Sequence, residues 1–263
     1  MNCISKKELV KSAARVLDLL EEFALTTEPL GVSEVARRIG IPKSSAQGLL
    51  TTLSIRGYLD KAGTGYVLPA GLRGTAWVGG RLAKLTRAAQ PVMRRVADAT
   101  GESAFLGVLT PERMIRYVIK EVSANEVRYD APLAHLRPAH CTSIGLVILA
   151  FLPQAEGDAL LRQLPLPKVT PFTVTDRRAL KKLLTQAQAR GYAEVRNAHV
   201  DGASGVSAPV FGPDGKVMAG LNLGAPSSRY TKVRAQMIRE VVKAANELSR
   251  QFALGPTSRA STV

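Results

Sequence analysis

Apolar residues recur at helical spacing through the first part of the chain. Val16, Leu19, Leu20 and Phe23 share one face of a helix predicted over Ser12 to Leu25, with Arg15, Asp18 and Glu22 elsewhere. Thr26 to Leu30 contains Pro29 and breaks it. Ser33 is placed to cap a short helix, Glu34 to Ile39, with Val35 and Ile39 inward. Gly40 suits the turn that follows, and Pro42 suits the first turn of the next helix, where no backbone donor is needed. That helix is predicted to about Arg56, burying Ala46, Leu49, Leu50 and Leu53, and Gly57 ends it. Tyr58 to Lys61 and Tyr66 to Leu68 are predicted strands around the loop Ala62-Gly63-Thr64-Gly65. Two short helices across a tight turn, then a glycine-tipped hairpin, make a winged helix-turn-helix pattern.

Leu72 to about Leu85 is predicted as a connecting helix despite Gly74, Gly79 and Gly80, each weakening it by about 1 kcal/mol relative to alanine. It carries Trp77, expected at a core or dimer contact. A further helix runs from about Arg87 to Thr100. Then the period changes. Ala104 to Leu109, Met114 to Val122 and Glu126 to Ala131 are predicted strands. Helices follow over Thr142 to Leu152, Gln154 to Gln163 and Asp176, as cap, to Arg190. Val206 to Phe211 and Lys216 to Leu223 form a hairpin over Gly212-Pro213-Asp214-Gly215, a strong turn signal. Thr231 to Phe252 is a long last helix, and Gly255 to Val263 is expected to be a disordered tail. The second part is therefore an α/β mixture with a largely antiparallel sheet, and the whole chain is α+β.

Length and charge sharpen this picture. At 263 residues the chain suits about two domains, and its net charge of +15 favours a polyanionic partner. The charge does not locate that partner: residues 1–88 hold 13 Lys+Arg against 7 Asp+Glu, and residues 89–263 hold 23 against 14. Two cysteines, Cys3 and Cys141, suit a reducing cytoplasm better than a disulfide framework. The first residues lack the apolar core of a signal peptide. The longest apolar run, Ile144 to Leu152, falls far short of the roughly 20 residues of a membrane span, so no membrane partner is expected.

In a helix-turn-helix the second helix meets base edges with its N-terminal residues. Here these are Lys43, Ser44, Ser45 and Gln47. Lysine suits phosphate or guanine, serine suits phosphate or several base edges, and glutamine pairs both edges of adenine. Thr51 and Thr52 follow, placed for the DNA backbone. Arg37 and Arg38 are expected to project from the preceding helix toward phosphate, and Lys61 and Thr64 lie near the wing.

The chain resembles an IclR-family transcriptional regulator over nearly its whole length. The resemblance is carried by Ala14 to Leu20, Ser33 to Ser44, Arg56 to Leu59, Ala139 to Gly145, Arg190 to Tyr192, Ala208 to Phe211 and Ala225-Pro226. It implies a winged-helix domain over residues 1–70, a linker helix over 71–87, and a GAF-like (profilin-like) effector-binding domain over 88–254, before the tail at 255–263. It also implies homodimers, often tetramers, on a pseudo-palindromic double-stranded operator, with promoter binding altered by a small organic acid. The linker would transmit the change. No cofactor is implied.

Carried over by position, Thr142, Ser143, Ile144, Gly205, Val206, Asn222 and Gly224 would line the effector. The helix opened by the His140 to Gly145 block offers backbone donors to a carboxylate. Val195 and Leu146 depart from the family's polar pattern, so a larger carboxylate, aromatic among the choices, is expected. Arg137 and His140 are candidate charge partners, or else structural residues. Cys141 is expected to fill space at a helix start rather than to sense oxidants. The three histidines, His135, His140 and His199, show no zinc spacing, and no metal is expected. Ser204, His199 and Asp201 group as a triad only on paper. The chain is thus expected not to be an enzyme. The alternatives are an enzyme, or a small-molecule-binding module, whose helix-turn-helix head serves assembly.

Overall fold

The computed structural model divides into two compact units, Met1–Leu85 and Thr86–Val263, and describes residues 10–26, 28–69 and 80–253. Trp77, most of the expected connecting helix and the expected tail lie outside the described residues.

In the first unit, α1 (Lys11–Leu25), α2 (Val32–Ile39) and α3 (Lys43–Ile55) precede a two-stranded hairpin, β1 (Asp60–Ala62) and β2 (Gly65–Val67). Leu19, Phe23, Val35, Ala46, Leu50, Leu53, Leu59 and Tyr66 form its core. Gly40 ends α2 with φ 66°, the left-handed cap its sequence position suggests, and its N–H donates to Ala36 O. The start of α2 differs from expectation. It begins at Val32, whose side chain packs on the core, so the cap is Gly31 and Ser33 lies inside the first turn. Pro42 stands one residue before α3 as its N-cap. Tyr58 and Leu59 are not strand residues: their N–H groups donate to Leu53 O, at 2.8 and 3.3 Å, closing the end of α3. Leu30 pairs with Tyr66 and lies so close to Gly65 that a methyl group there would sit 3.0 Å from the Leu30 carbonyl.

α4 (Gly80–Thr100) runs unbroken through the junction expected between Leu85 and Arg87, while the first residues of the expected connecting helix lie outside the described residues. Pro91 lies inside α4 without ending it. Pro91 faces solvent, while Ala89, Val92, Met93, Val96 and Ala97 pack inward on both sides of it.

The second unit continues with β3 (Ser103–Leu109), β4 (Met114–Glu121), β5 (Leu136–Pro138), α5 (Ser143–Ala150), α6 (Gln154–Gln163), α7 (Arg177–Arg190), β6 (Ala193–Arg196), β7 (Ala203–Phe211), β8 (Val217–Pro226) and α8 (Ser227–Ala253). The six strands lie in the order β5-β4-β3-β8-β7-β6, with every neighbouring pair antiparallel. Both α5 and α8 pack on β7 and β8, and Ser204 to Val210 are all buried, so helices cover both sheet faces. That two-sided burial explains why β7 and β8 carry small, apolar and uncharged residues throughout instead of alternating apolar with charged ones. Glu126 to Ala131 is not a strand. Only Ala131 of that stretch is buried, and the outer edge of β4 pairs instead with β5 through Ile115 and Arg137. Asp176 caps α7 as expected, its carboxylate accepting from Ala179 N at 2.7 Å.

Candidate nucleic-acid interface and ligand cavity

The two sides of α3 differ sharply. Ala46, Leu50 and Leu53 are buried, whereas Lys43, Ser44, Gln47, Gly48, Thr51 and Thr52 are exposed and Ser45 is half-buried. The polar side chains lie along the helix: Gln47 Nε2 donates to Thr51 Oγ1 at 3.0 Å, and the Thr52 hydroxyl donates to Gly48 O at 2.8 Å. Lys61 and Thr64 are exposed on the hairpin. Both arginines of α2 turn to Glu34. Arg37 bonds it through Nε at 3.0 Å and Nη2 at 2.5 Å, while its side chain stays 72% exposed. Arg38 is only 13% exposed, donates to Glu34 Oε1 at 2.6 Å, and approaches Glu22 of α1 at 3.6 Å. Hydrogen bonds from Arg37 and then Arg38 hold the Glu34 carboxyl down at about 2. Arg38 therefore fastens α2 to α1, and Arg37 offers its charge already shared. The signal was present in sequence, since Glu34 stands three and four residues before the pair.

The second unit holds a half-open cavity between the start of α5 and the ends of β7 and β8, with about 350 Å³ of atom-free space when the open solvent at its mouth is counted. Of the expected ligand residues, Thr142, Ser143, Val195, Gly205, Asn222 and Gly224 line it; so do Tyr117, Tyr129, His199, Val200, Ala203 and Ser204, which sequence reasoning did not place there. Ile144 and Val206 are buried beside it in the core. Arg137 and His140 stand behind the wall. Arg137 is 3% exposed, lies 3.9 Å over the Tyr117 ring, and donates to His135 O and Pro132 O, both at 2.6 Å. His140 Nε2 meets Pro167 O at 3.0 Å.

The cavity floor is a buried polar cluster. Ser143 Oγ accepts from the Ser207 hydroxyl at 2.7 Å and from Asn222 Nδ2 at 2.9 Å, which fills both its lone pairs. The Ser143 proton is thereby not used within this cluster. Thr142 caps α5, its hydroxyl oxygen accepting from Gly145 N at 3.1 Å. The amides of Ser143 and Ile144, in the first turn, have no acceptor within the helix. Gly145 is required for this geometry. A methyl group there would lie 2.6 Å from the Ala139 carbonyl carbon and closer still to its oxygen. Gly224 is required in a different way: a methyl there would meet the Tyr129 ring at 2.7 Å.

The walls are neutral. No Lys, Arg, Asp or Glu side chain lines the cavity among the described residues. Burial, then the charge of Arg137, hold the His199 imidazole down at about 4, so it is uncharged at neutral pH. Its Nδ1 lies 3.7 Å from Cys141 Sγ, whose thiol burial pushes up to about 12. Ser204, His199 and Asp201 do not form a triad: Ser204 Oγ pairs with Ser227 Oγ at 2.7 Å, His199 meets Cys141, and Asp201 accepts from Gly202 N. No helix among the described residues is long and apolar enough to cross a membrane.

Two family models match the chain: the IclR helix-turn-helix domain over residues 12–63, and the bacterial transcriptional regulator IclR C-terminal domain over residues 81–250. Similar proteins include the HTH-type transcriptional regulator BhcR of Paracoccus denitrificans, 29% identical across 94% of this chain and 88% of that one. The transcriptional repressor IclR of Escherichia coli is 27% identical, across 92% and 90%. Among solved structures, an IclR homolog from Microbacterium hydrocarbonoxydans complexed with 4-hydroxybenzoate has a TM-score of 0.61 at 27% identity, covering 91% of this chain and 99% of that one.

Proposed function

The chain belongs to the IclR family of bacterial transcriptional regulators, and from that premise we propose that α3 reads duplex DNA while the cavity beside α5 receives a carboxylate that controls the reading. The observation that carries the first half is the exposed polar face of α3 set against its apolar core face. Lys43 and Lys61 supply phosphate contacts; Ser44, Ser45, Gln47 and Thr51 face the bases and the groove wall. Arg37 contributes partly and Arg38 acts through the fold. A homodimer or tetramer presents two such helices to a pseudo-palindrome in the cytoplasm.

Three donors converge on the proposed carboxylate: the Ser143 hydroxyl and the amides of Ser143 and Ile144. Tyr117, Tyr129, Val195 and Val200 give the rest of the ligand an apolar and aromatic surround. The relative bound to 4-hydroxybenzoate supports an aromatic acid of this kind. The effector binds two arrangements of the protein unequally, and the segment over residues 71–87 carries the difference to the DNA-binding unit.

A gel shift with the duplex flanking the protein's own gene tests the proposal, with benzoate, 4-hydroxybenzoate and pyruvate as ligands. Specific retardation altered by an aromatic acid is expected. Lys43→Ala should weaken binding to all duplexes and lower the salt slope by about one, whereas Gln47→Ala should change base preference. No specific retardation at any ligand concentration would refute the reading.

A further inference from the structure

Gly48 stands in the middle of α3 on its exposed side, one turn beyond Ser44 and one turn before Thr51 and Thr52. A methyl group placed there meets nothing within 4 Å, and the backbone is ordinary right-handed helix. Nothing among the described residues therefore asks for a glycine. Its presence still weakens the helix relative to alanine, because glycine has the most backbone freedom to lose. The polar residues around it are short or lie flat. Ser44 and Thr51 reach little beyond their own Cβ atoms, Gln47 is laid along the helix onto Thr51, and the Thr52 hydroxyl is folded back onto Gly48 O. Side chains this low meet base edges only if the helix axis itself comes close.

Resting on the DNA-reading role given to α3 above, we infer that Gly48 is the point of closest approach, where bare helix backbone touches the floor or wall of the major groove. The missing side chain is what lets α3 seat deep enough for Ser44, Gln47 and Thr51 to act. Gly48 is thus a positioning residue that serves specificity. It contributes no hydrogen bond from a side chain, yet it sets the depth at which its neighbours do. Glycine has this use wherever a backbone must approach a ligand more closely than a Cβ allows.

The test uses the full-length protein and Gly48→Ala, with a duplex that the wild type has selected from a random-sequence library and a scrambled duplex of the same length. Alanine favours the helix, so the thermal midpoint of Gly48→Ala should equal or exceed that of the wild type by a few degrees. Affinity for the selected duplex should nonetheless fall by about tenfold or more, the scale of one lost base contact. Affinity for the scrambled duplex, held by phosphate contacts at looser depth, should change less than about threefold. A stabilised protein that binds its site worse is an outcome that a merely structural glycine does not give. Selected-site affinity within about twofold of wild type, or a lowered thermal midpoint, would overturn the inference while leaving DNA binding intact. Failure of the wild type to select any sequence would overturn the DNA-reading proposal, and this inference with it.

Discussion

Asn222→Ala isolates the polar floor of the cavity. The side chain is 4% exposed, and Nδ2 directs two protons at three acceptors: Ser143 Oγ at 2.9 Å, Ser207 Oγ at 3.1 Å and Val206 O at 3.1 Å. Two protons make two bonds' worth of interaction, one of them shared. Each is worth about 1 kcal/mol net, and a buried acceptor left unpaired costs about 1 kcal/mol more. Ser143 Oγ keeps the Ser207 hydroxyl as donor, so it is not left bare. The loss should therefore be about 2–3 kcal/mol. Hydrogen exchange of the slowest β7 and β8 amides reports the stability of this unit without interference from the DNA-binding unit. A cycle with Ser143→Ala should show a coupling of about 1 kcal/mol, because the two side chains share one bond. The variant should also lose the thermal shift given by an aromatic acid, since the Ser143 proton is no longer aimed. A loss below about 0.5 kcal/mol, or strict additivity with Ser143→Ala, would show that the cluster does not organise the floor.

Gly145→Ala should abolish ligand-induced stabilisation and destabilise the second unit by about 3 kcal/mol or more, because the methyl collides with backbone rather than with a movable side chain; a thermal melt close to wild type would contradict this. His199 keeps its proton off until about pH 4, below the ordinary 6.5. The folded state is thus favoured in full above pH 6.5, and that contribution drains away as pH falls toward 4, where the unfolded chain alone binds the proton. His199→Gln should flatten the urea midpoint over that interval, and an unchanged pH profile would show that the imidazole is not held neutral. Cys141, buried and with its thiol raised to about 12, should resist a thiol-reactive dye at pH 8 in a Cys3→Ser background until urea unfolds the protein. Rapid labelling of the native protein would instead place that sulfur in solvent.

Local chemistry made much of this fold legible. Gly40, Asp176 and the Gly212 to Gly215 turn announced themselves because one residue type at each position satisfies one backbone demand. The errors arose where a distant partner decides. Val32 starts α2 early because core packing outweighs a serine cap. Glu126 to Ala131 alternates like a strand, but the edge it would occupy belongs to β5. The junction expected between Leu85 and Arg87 is helical instead, and Leu85 and Ala89 are both buried along it. The cavity divides in the same way. Thr142, Ser143 and Asn222 sit in recognisable blocks, whereas Tyr117, Tyr129 and His199 enter from a middle strand and two loops whose positions only the sheet order supplies. Arg137 and Arg38 carry charge that invites a ligand or a phosphate; Arg137 is consumed by the Pro132 and His135 carbonyls, and Arg38 by Glu34, which the helical spacing does signal, and by Glu22 of α1, which it does not.

The sheet order has a consequence for how the protein is made. β3, the first strand of its unit, finds its central partner only in β8, the last, through pairs such as Ser103 with Gly224. On the ribosome the N-terminal head has its whole sequence in hand early, while the sensing half waits for nearly its final helix before its middle can close. A message cut short before β8 would therefore yield a competent head joined to an open, adhesive sheet edge. Quality control should remove such a product, which protects the cell from a regulator that grips its operator but hears no signal.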